Sequence, residues 1–198
     1  QLYENAGQEY NRQYPAQPIS TREAKRIIAL TFSCLTKYDN SRAVRNRMSL
    51  AEITSIINAP TLSPEIIGRV INIYREEGNS FIRPFKTDDP KTHDLPQSAV
   101  LDITHESLIR NWDKLNQWAN REFEFYATYL DFQKQVERWK SSGKSSGYLL
   151  PIGPLTYFEN WYKNCKPNAG WIRRYSGLTT DAADSLKQPE ASLQDTRE

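Results

Sequence analysis

The sequence predicts a mainly α-helical chain, a winged helix-turn-helix (three helices plus a two-stranded wing) followed by a helical arm or bundle. Three observations point there. Three helix-start signals fall within the first 65 residues, two short β-branched runs flank a polar loop after the third, and from Thr104 the apolar spacing returns to three and four. The 198 residues suffice for one domain or two small ones, and 5 Trp, 11 Tyr and 7 Phe supply bulky apolar surface for a core. The divisions expected are a helix or linker over 1–19, the winged helix over 20–104, the arm over 105–175 and a polar tail or linker over 176–198.

Leu2 to Tyr14 is polar and ends at Pro15 and Pro18, which reads as a short helix or arm and then a linker. Ser20-Thr21-Arg22-Glu23 has capping-box spacing, and Ala24, Ile27, Ile28, Thr31, Cys34 and Leu35 continue it as an amphipathic helix to about Thr36. Lys37 to Arg47 is a polar connection with Arg42, Arg45 and Arg47 close together. A second capping box, Ser49-Leu50-Ala51-Glu52, opens a helix to about Asn58, and Ser63-Pro64-Glu65 opens a third to about Glu77, stopped by Gly78. Phe81–Phe85 and Ala99–Ile103 read as the strands of the wing. His105 to Trp112 is a short helix, and Asp113 to about Ser142 a long one whose Leu115, Trp118, Phe125, Tyr129, Phe132, Val136 and Trp139 make one aromatic stripe, expected to be buried. Gly143 and Gly147 interrupt, and a last helix runs from about Leu155 to Asn164. Beyond Ser176 apolar residues thin out.

Charge and motifs exclude more than they assign. The counts of 26 Lys plus Arg and 24 Asp plus Glu leave a net +2, and between Ser49 and Thr104 five basic residues face eight acidic ones, three of them (Asp88, Asp89, Asp94) in the wing. That disfavours phosphate approach and hence DNA. Cys34 and Cys165 stand in no metal-ligand spacing, which fits a reducing cytoplasm, and no run spans a bilayer. Gly143-Lys144-Ser145 mimics the close of a phosphate loop, but Arg138 stands where the first glycine would be and a helix precedes it instead of a strand. Gly143 reads better as a helix stop. With His93 and His105 the only histidines, no catalytic set and no metal site is visible. His105 lies where a strand passes into a helix, so an imidazole there could donate to an anion, or merely hydrogen-bond locally.

The run Ile103 to Trp112, with Leu115, Trp118, Glu122, Trp139, Ser142-Gly143, Gly147-Tyr148-Leu149-Leu150 and Trp161, resembles the segment after the nucleotide-binding module of bacterial STAND NTPases, signal-transduction ATPases often followed by WD40 repeats. Arg45 to Glu52 resembles the family's basic residues before Pro-Leu-Ala-Glu, with Ser49 in place of Pro. The resemblance implies a winged helix that folds over the nucleotide and contributes a histidine, from a Met-His-Asp motif, to the β-phosphate of ADP. Thr104-His105-Glu106 looks like that motif, with Thr for Met and Glu for Asp. It therefore implies His105 as an ADP phosphate sensor and Glu106 as a supporting residue, and no catalysis by this stretch. ADP or ATP with Mg would be held by a nucleotide-binding domain upstream, since Walker A and B motifs are absent from these 198 residues. The other implied partners are a C-terminal repeat sensor and a second copy on activation. A winged-helix DNA-binding regulator and a protein-interaction scaffold are the alternatives; nucleic acid is disfavoured by charge, and no membrane contact is expected.

Overall fold

The computed structural model describes residues 1–39 and 42–175, so the expected polar tail lies outside the described residues. The chain is mainly helical, with small antiparallel sheets. Helix α1 (Leu2–Gln13) buries Ala6 and Tyr10 against α2 (Thr21–Cys34). Asn11 exchanges two hydrogen bonds with the backbone of Ile19, at 3.0 and 2.9 Å, and so holds the connection between them. Gly7 is required where the helices cross, because a Cβ there would fall 2.6 Å from Thr21 Cα. Glu4 accepts from Lys25 and, at 2.9 Å, from Lys114, and these bonds hold its carboxyl down at about 2.

The helix starts are where the sequence places them, because each depends on residues three apart. Ser20 with Glu23 and Ser49 with Glu52 form complete capping boxes, and Ser63 caps α4 (Pro64–Asn72) with Pro64 in its first turn. Helix α3 (Leu50–Ile57) closes on Asn58 in the left-handed region. Helix α4 is shorter than expected. Past Asn72 the backbone tightens into turns, with Tyr74 and Arg75 N–H groups donating to Ile71 and Asn72 carbonyls, and the Arg75 side chain folds inward. There it donates to Asn72 Oδ1 and to the carbonyls of Pro84 and Thr92 at 2.6 and 3.0 Å, which pins the loop after Ile82–Arg83. With no carboxylate beside it, burial pulls this guanidinium down to about 10.

The connection read as polar loop over Lys37 to Arg47 is instead a hairpin, β1 (Thr36–Asp39) against β2 (Arg42–Arg45). Cross-strand pairing puts Thr36, Tyr38 and Ala43 on one face and Val44 beside Lys37 on the other, more solvated one, so the alternation with charged residues is broken and carries little hydrophobic signal. Tyr38 stacks on Phe123 at 4.5 Å, which seats the hairpin on the long helix over Asp113–Ser141. The two expected strands are β4 (Ile82–Arg83) and β5 (Val100–Ile103), paired as Ile82↔Ile103 and Arg83↔Asp102. A third strand, β3 (Met48–Ser49), adds to the far side of β5, so the order is β3-β5-β4.

Helix α5 (Ser107–Asn111) is followed by α6 (Asp113–Ser141), α7 (Ile152–Cys165) and α8 (Ala169–Tyr175). The aromatic stripe of α6, expected to be buried, is only partly covered: Leu115 is buried, while Trp118, Phe125, Tyr129, Phe132, Val136 and Trp139 are half-buried because α7 and α8 reach only part of its length. Trp118 meets Tyr3 and Trp112 at 5.1 and 5.4 Å, Tyr129 meets Trp171 at 5.5 Å, and Phe132 meets Phe158 and Trp161 at 5.3 and 5.9 Å; beside the stripe Tyr126 stacks on Tyr175 at 4.1 Å. One buried apolar cluster runs from Ala6 to Trp171. Among the described residues no helix is long and apolar enough to cross a membrane.

Two substitutions test this packing by chemical denaturation. Ser49→Ala removes a capping box and lowers stability by about 1 kcal/mol. Gly7→Ala gains about 1 kcal/mol of helix propensity, yet it destabilises overall by about 1–2 kcal/mol because α1 must move off Thr21; a net gain would place α1 elsewhere.

Candidate functional site

The site expected around His105 is built from the end of β5. Thr104 is held on one side by β4, its N–H donating to Phe81 O at 2.9 Å and its hydroxyl to Ser80 O at 2.7 Å. From the other side Arg45 Nη1 donates to Ile103 O at 3.1 Å and stands 3.6 Å from Asp102 Oδ2. Arg47 Nε donates to that same carboxylate oxygen at 3.1 Å. Asp102 is buried, and its second oxygen has no hydrogen-bond partner among the described residues. Two arginines therefore share one carboxylate, and Arg45 also ties β2 to the last turn of backbone before His105.

His105 lies just ahead of α5 rather than in its first turn, since that helix starts at Ser107 with Glu106 as N-cap. Its carbonyl accepts from Leu108 N–H at 3.0 Å, while its imidazole is exposed and finds no partner among the described residues. Glu106 is half-buried and makes no capping bond. It lines a cavity of about 290 Å³ with Tyr38 and Arg42 of the hairpin and Ile109, Arg110 and Asn116. The structure thus gathers His105 and Glu106 with the three arginines of the 42–47 segment at one end of the sheet. His93 stays in the 84–99 loop, its Nε2 3.0 Å from Thr87 O. Asp88, Asp89 and Asp94 are exposed there, and Asp89 caps the short turn Pro90–Thr92. Among the described residues no group of three or more His, Cys, Asp and Glu side chains could hold a metal ion. Gly143 sits past the end of α6 at φ +71°, as the stop it was read to be.

A second polar centre has no counterpart in the sequence reading. Glu122 on α6 accepts from Arg174 Nη1 at 2.9 Å, from Trp171 Nε1 at 2.8 Å and from the Tyr175 hydroxyl at 2.6 Å. Arg174 also donates Nη2 to the carbonyls of Ser33, in the last turn of α2, and Thr36, the first residue of β1, at 2.9 and 2.6 Å. The two charged side chains are 6% and 13% exposed. Gly170 makes the approach possible, because a Cβ there would lie 2.4 Å from Ser55 Oγ. The only local sign of this arrangement is an acid in an aromatic stripe, 52 residues from its partner.

Residues 5–147 match the family model described as Novel STAND NTPase 1. The chain belongs to that family. The matched stretch takes in both capping boxes, Arg45, Arg47, Asp102, His105 and Glu122, and stops at Gly147, so α7 and α8 with Arg174 lie beyond it. No curated protein and no solved structure matches the chain. In this member of the Novel STAND NTPase 1 family the two thiols are structural in character: burial pushes both Cys34 and Cys165 up to about 12. At pH 8 both therefore stay protonated, and iodoacetamide is expected to alkylate the native chain at least ~10-fold more slowly than the denatured chain. Equal rates, read by mass spectrometry, would contradict the burial described.

Proposed function

We propose that this chain is a regulatory region of a STAND-type ATPase, one that stabilises the ADP-bound closed state and relays nucleotide-dependent switching to oligomerisation or effector signalling. The elements α2, β3, α3, α4, β4 and β5 read as the winged helix, with β4 and β5 as its wing. The helices from α5 to α8 read as the arm that carries its position onward. The nucleotide, ADP or ATP with Mg, would be held by a phosphate-loop module outside these residues, and this region turns over none itself.

The observation that carries the reading is the environment of His105. Its backbone is held through Thr104 by β4 and through Arg45 by β2, while its ring is exposed and unpartnered. A side chain without a local role, on a backbone this well tied, is placed to meet something outside the chain. An imidazole N–H donating to a phosphate oxygen of ADP fits that position. The arginines of residues 42–47 and Arg110 raise the local positive potential, and the carboxylates of Asp102 and Glu106 offset only part of it. Glu106 lines the small cavity together with Arg42 and Arg110, which is compatible with the supporting role that the family resemblance implies for it. As a two-state element the region would close over the nucleotide with ADP and separate with ATP.

In the longer protein that carries the nucleotide module, ADP released on denaturation is the readout. A charge-assisted hydrogen bond of ~1.5–3 kcal/mol corresponds to ~10- to 150-fold in affinity. His105→Ala should therefore strip most ADP from the purified protein, whereas His93→Ala should leave it in place. Unchanged ADP content in His105→Ala would remove His105 from the nucleotide site and favour the scaffold reading.

A further inference from the structure

A cavity of about 630 Å³ lies where α1, α2, the end of α3, α6 and the α7–α8 turn meet, away from the His105 turn. It has the size of small-molecule sites. Its lining is mixed: Leu30, Ile57, Trp118, Phe125 and Trp171 supply apolar surface, Asn58, Asn164 and Asn168 polar groups, and the exposed Arg26, Arg121 and Lys166 positive charge. Glu122 is its one carboxylate, and that charge is already matched by Arg174 at 2.9 Å.

These cations are largely uncommitted. Arg26 gives one hydrogen bond to Ile57 O at 2.6 Å. Arg121 lies 5.2 Å over the Phe125 ring, and neither it nor Lys166 has an ion-pair partner among the described residues. Two helix ends also face the cavity, α3 at Ile57 and α7 at Cys165, each with its cap in the left-handed region. They contribute about half a negative charge apiece. Three positive side chains against that leave a balance of about +2 around this mixed lining.

We propose that this cavity binds an organic anion, a molecule with a planar apolar body and a carboxylate, sulfonate or phosphate at one end. The body lies against Trp118, Phe125 and Trp171, where stacking and burial favour aromatic rings. The anionic end sits at the mouth between Arg121 on α6 and Lys166 after α7. Because opposite walls come from α2–α3 and from the α7–α8 turn, the ligand also fastens these elements to each other and stabilises the fold by mass action.

The test uses the 198-residue chain with two probes of equal shape, anilinonaphthalene sulfonate and neutral phenylnaphthylamine. The anionic dye is expected to bind one per chain, quench tryptophan emission and raise the melting temperature, with the neutral probe ~10-fold weaker. Placing two charges at the mouth accounts for that ratio. Arg121→Glu with Lys166→Glu should weaken the anionic dye ~10-fold or more. If that pair fails to fold, Arg121→Gln with Lys166→Gln carries the test and should cost ~5-fold. A separate apolar groove is lined by Phe132, Val136, Trp139, Leu149 and Leu155, and Leu155→Lys, which alters it, should leave dye affinity unchanged. Unaltered binding in the folded charge variants, equal affinity for both probes, or loss of binding in Leu155→Lys would overturn the proposal.

Discussion

The architecture depends on the ion pair of Glu122 with Arg174. Each charge would be costly if buried alone, and each is hydrogen-bonded by groups from other elements. Glu122 takes three donors from α8 on one carboxylate oxygen, and Arg174 Nη2 donates to carbonyls in the last turn of α2 and at the start of β1. One residue of a seven-residue helix thereby ties itself to the end of a second helix and is neutralised by a third. Isolated helices as short as α8 are unstable in water, so its order derives from this docking, from Trp171 and from the close approach at Gly170. The cavity beneath the α7–α8 turn exists because the pair holds α8 against α2 and α6 at this spot.

The turn that presents His105 obeys the same logic with fewer bonds. Arg45 and Arg47 both lean on Asp102, and Arg45 reaches the carbonyls before His105. The hairpin and the three-stranded sheet are thus joined by arginines rather than by apolar packing. An arginine-tied turn leaves the histidine ring free while keeping its backbone in place, which is the combination a contact to an external phosphate requires.

What the sequence revealed was local. The Ser–Glu pairs at residues 20–23 and 49–52, the Ser-Pro start at residue 63 and the stripe on α6 are encoded within one or two turns, and each element they announce is present. The 36–45 hairpin was missed because a strand pair with one wet face shows weak alternation, and α8 because a short stretch with a glycine has no helix signal of its own. Helix α4 was read too long because nothing near Arg75 tells that its side chain turns inward to bind carbonyls of Pro84 and Thr92. His105 and Glu106 stood out by their place at a strand-to-helix junction. Glu122 stands out in the sequence as an acid among aromatics and as one residue of the family resemblance, but not as half of an ion pair, since its partners follow about fifty residues later.

The most direct measurement of this account is a double-mutant cycle on the pair, with Glu122→Gln, Arg174→Met and both together, each unfolded by denaturant. Breaking a buried pair costs ~3–5 kcal/mol because one charge is left uncompensated. The account therefore predicts large losses for both single variants and a double variant well short of their sum, with a coupling of ~2 kcal/mol or more. Small and additive losses would contradict it, and would leave α8 as an appendage rather than the piece that closes the fold.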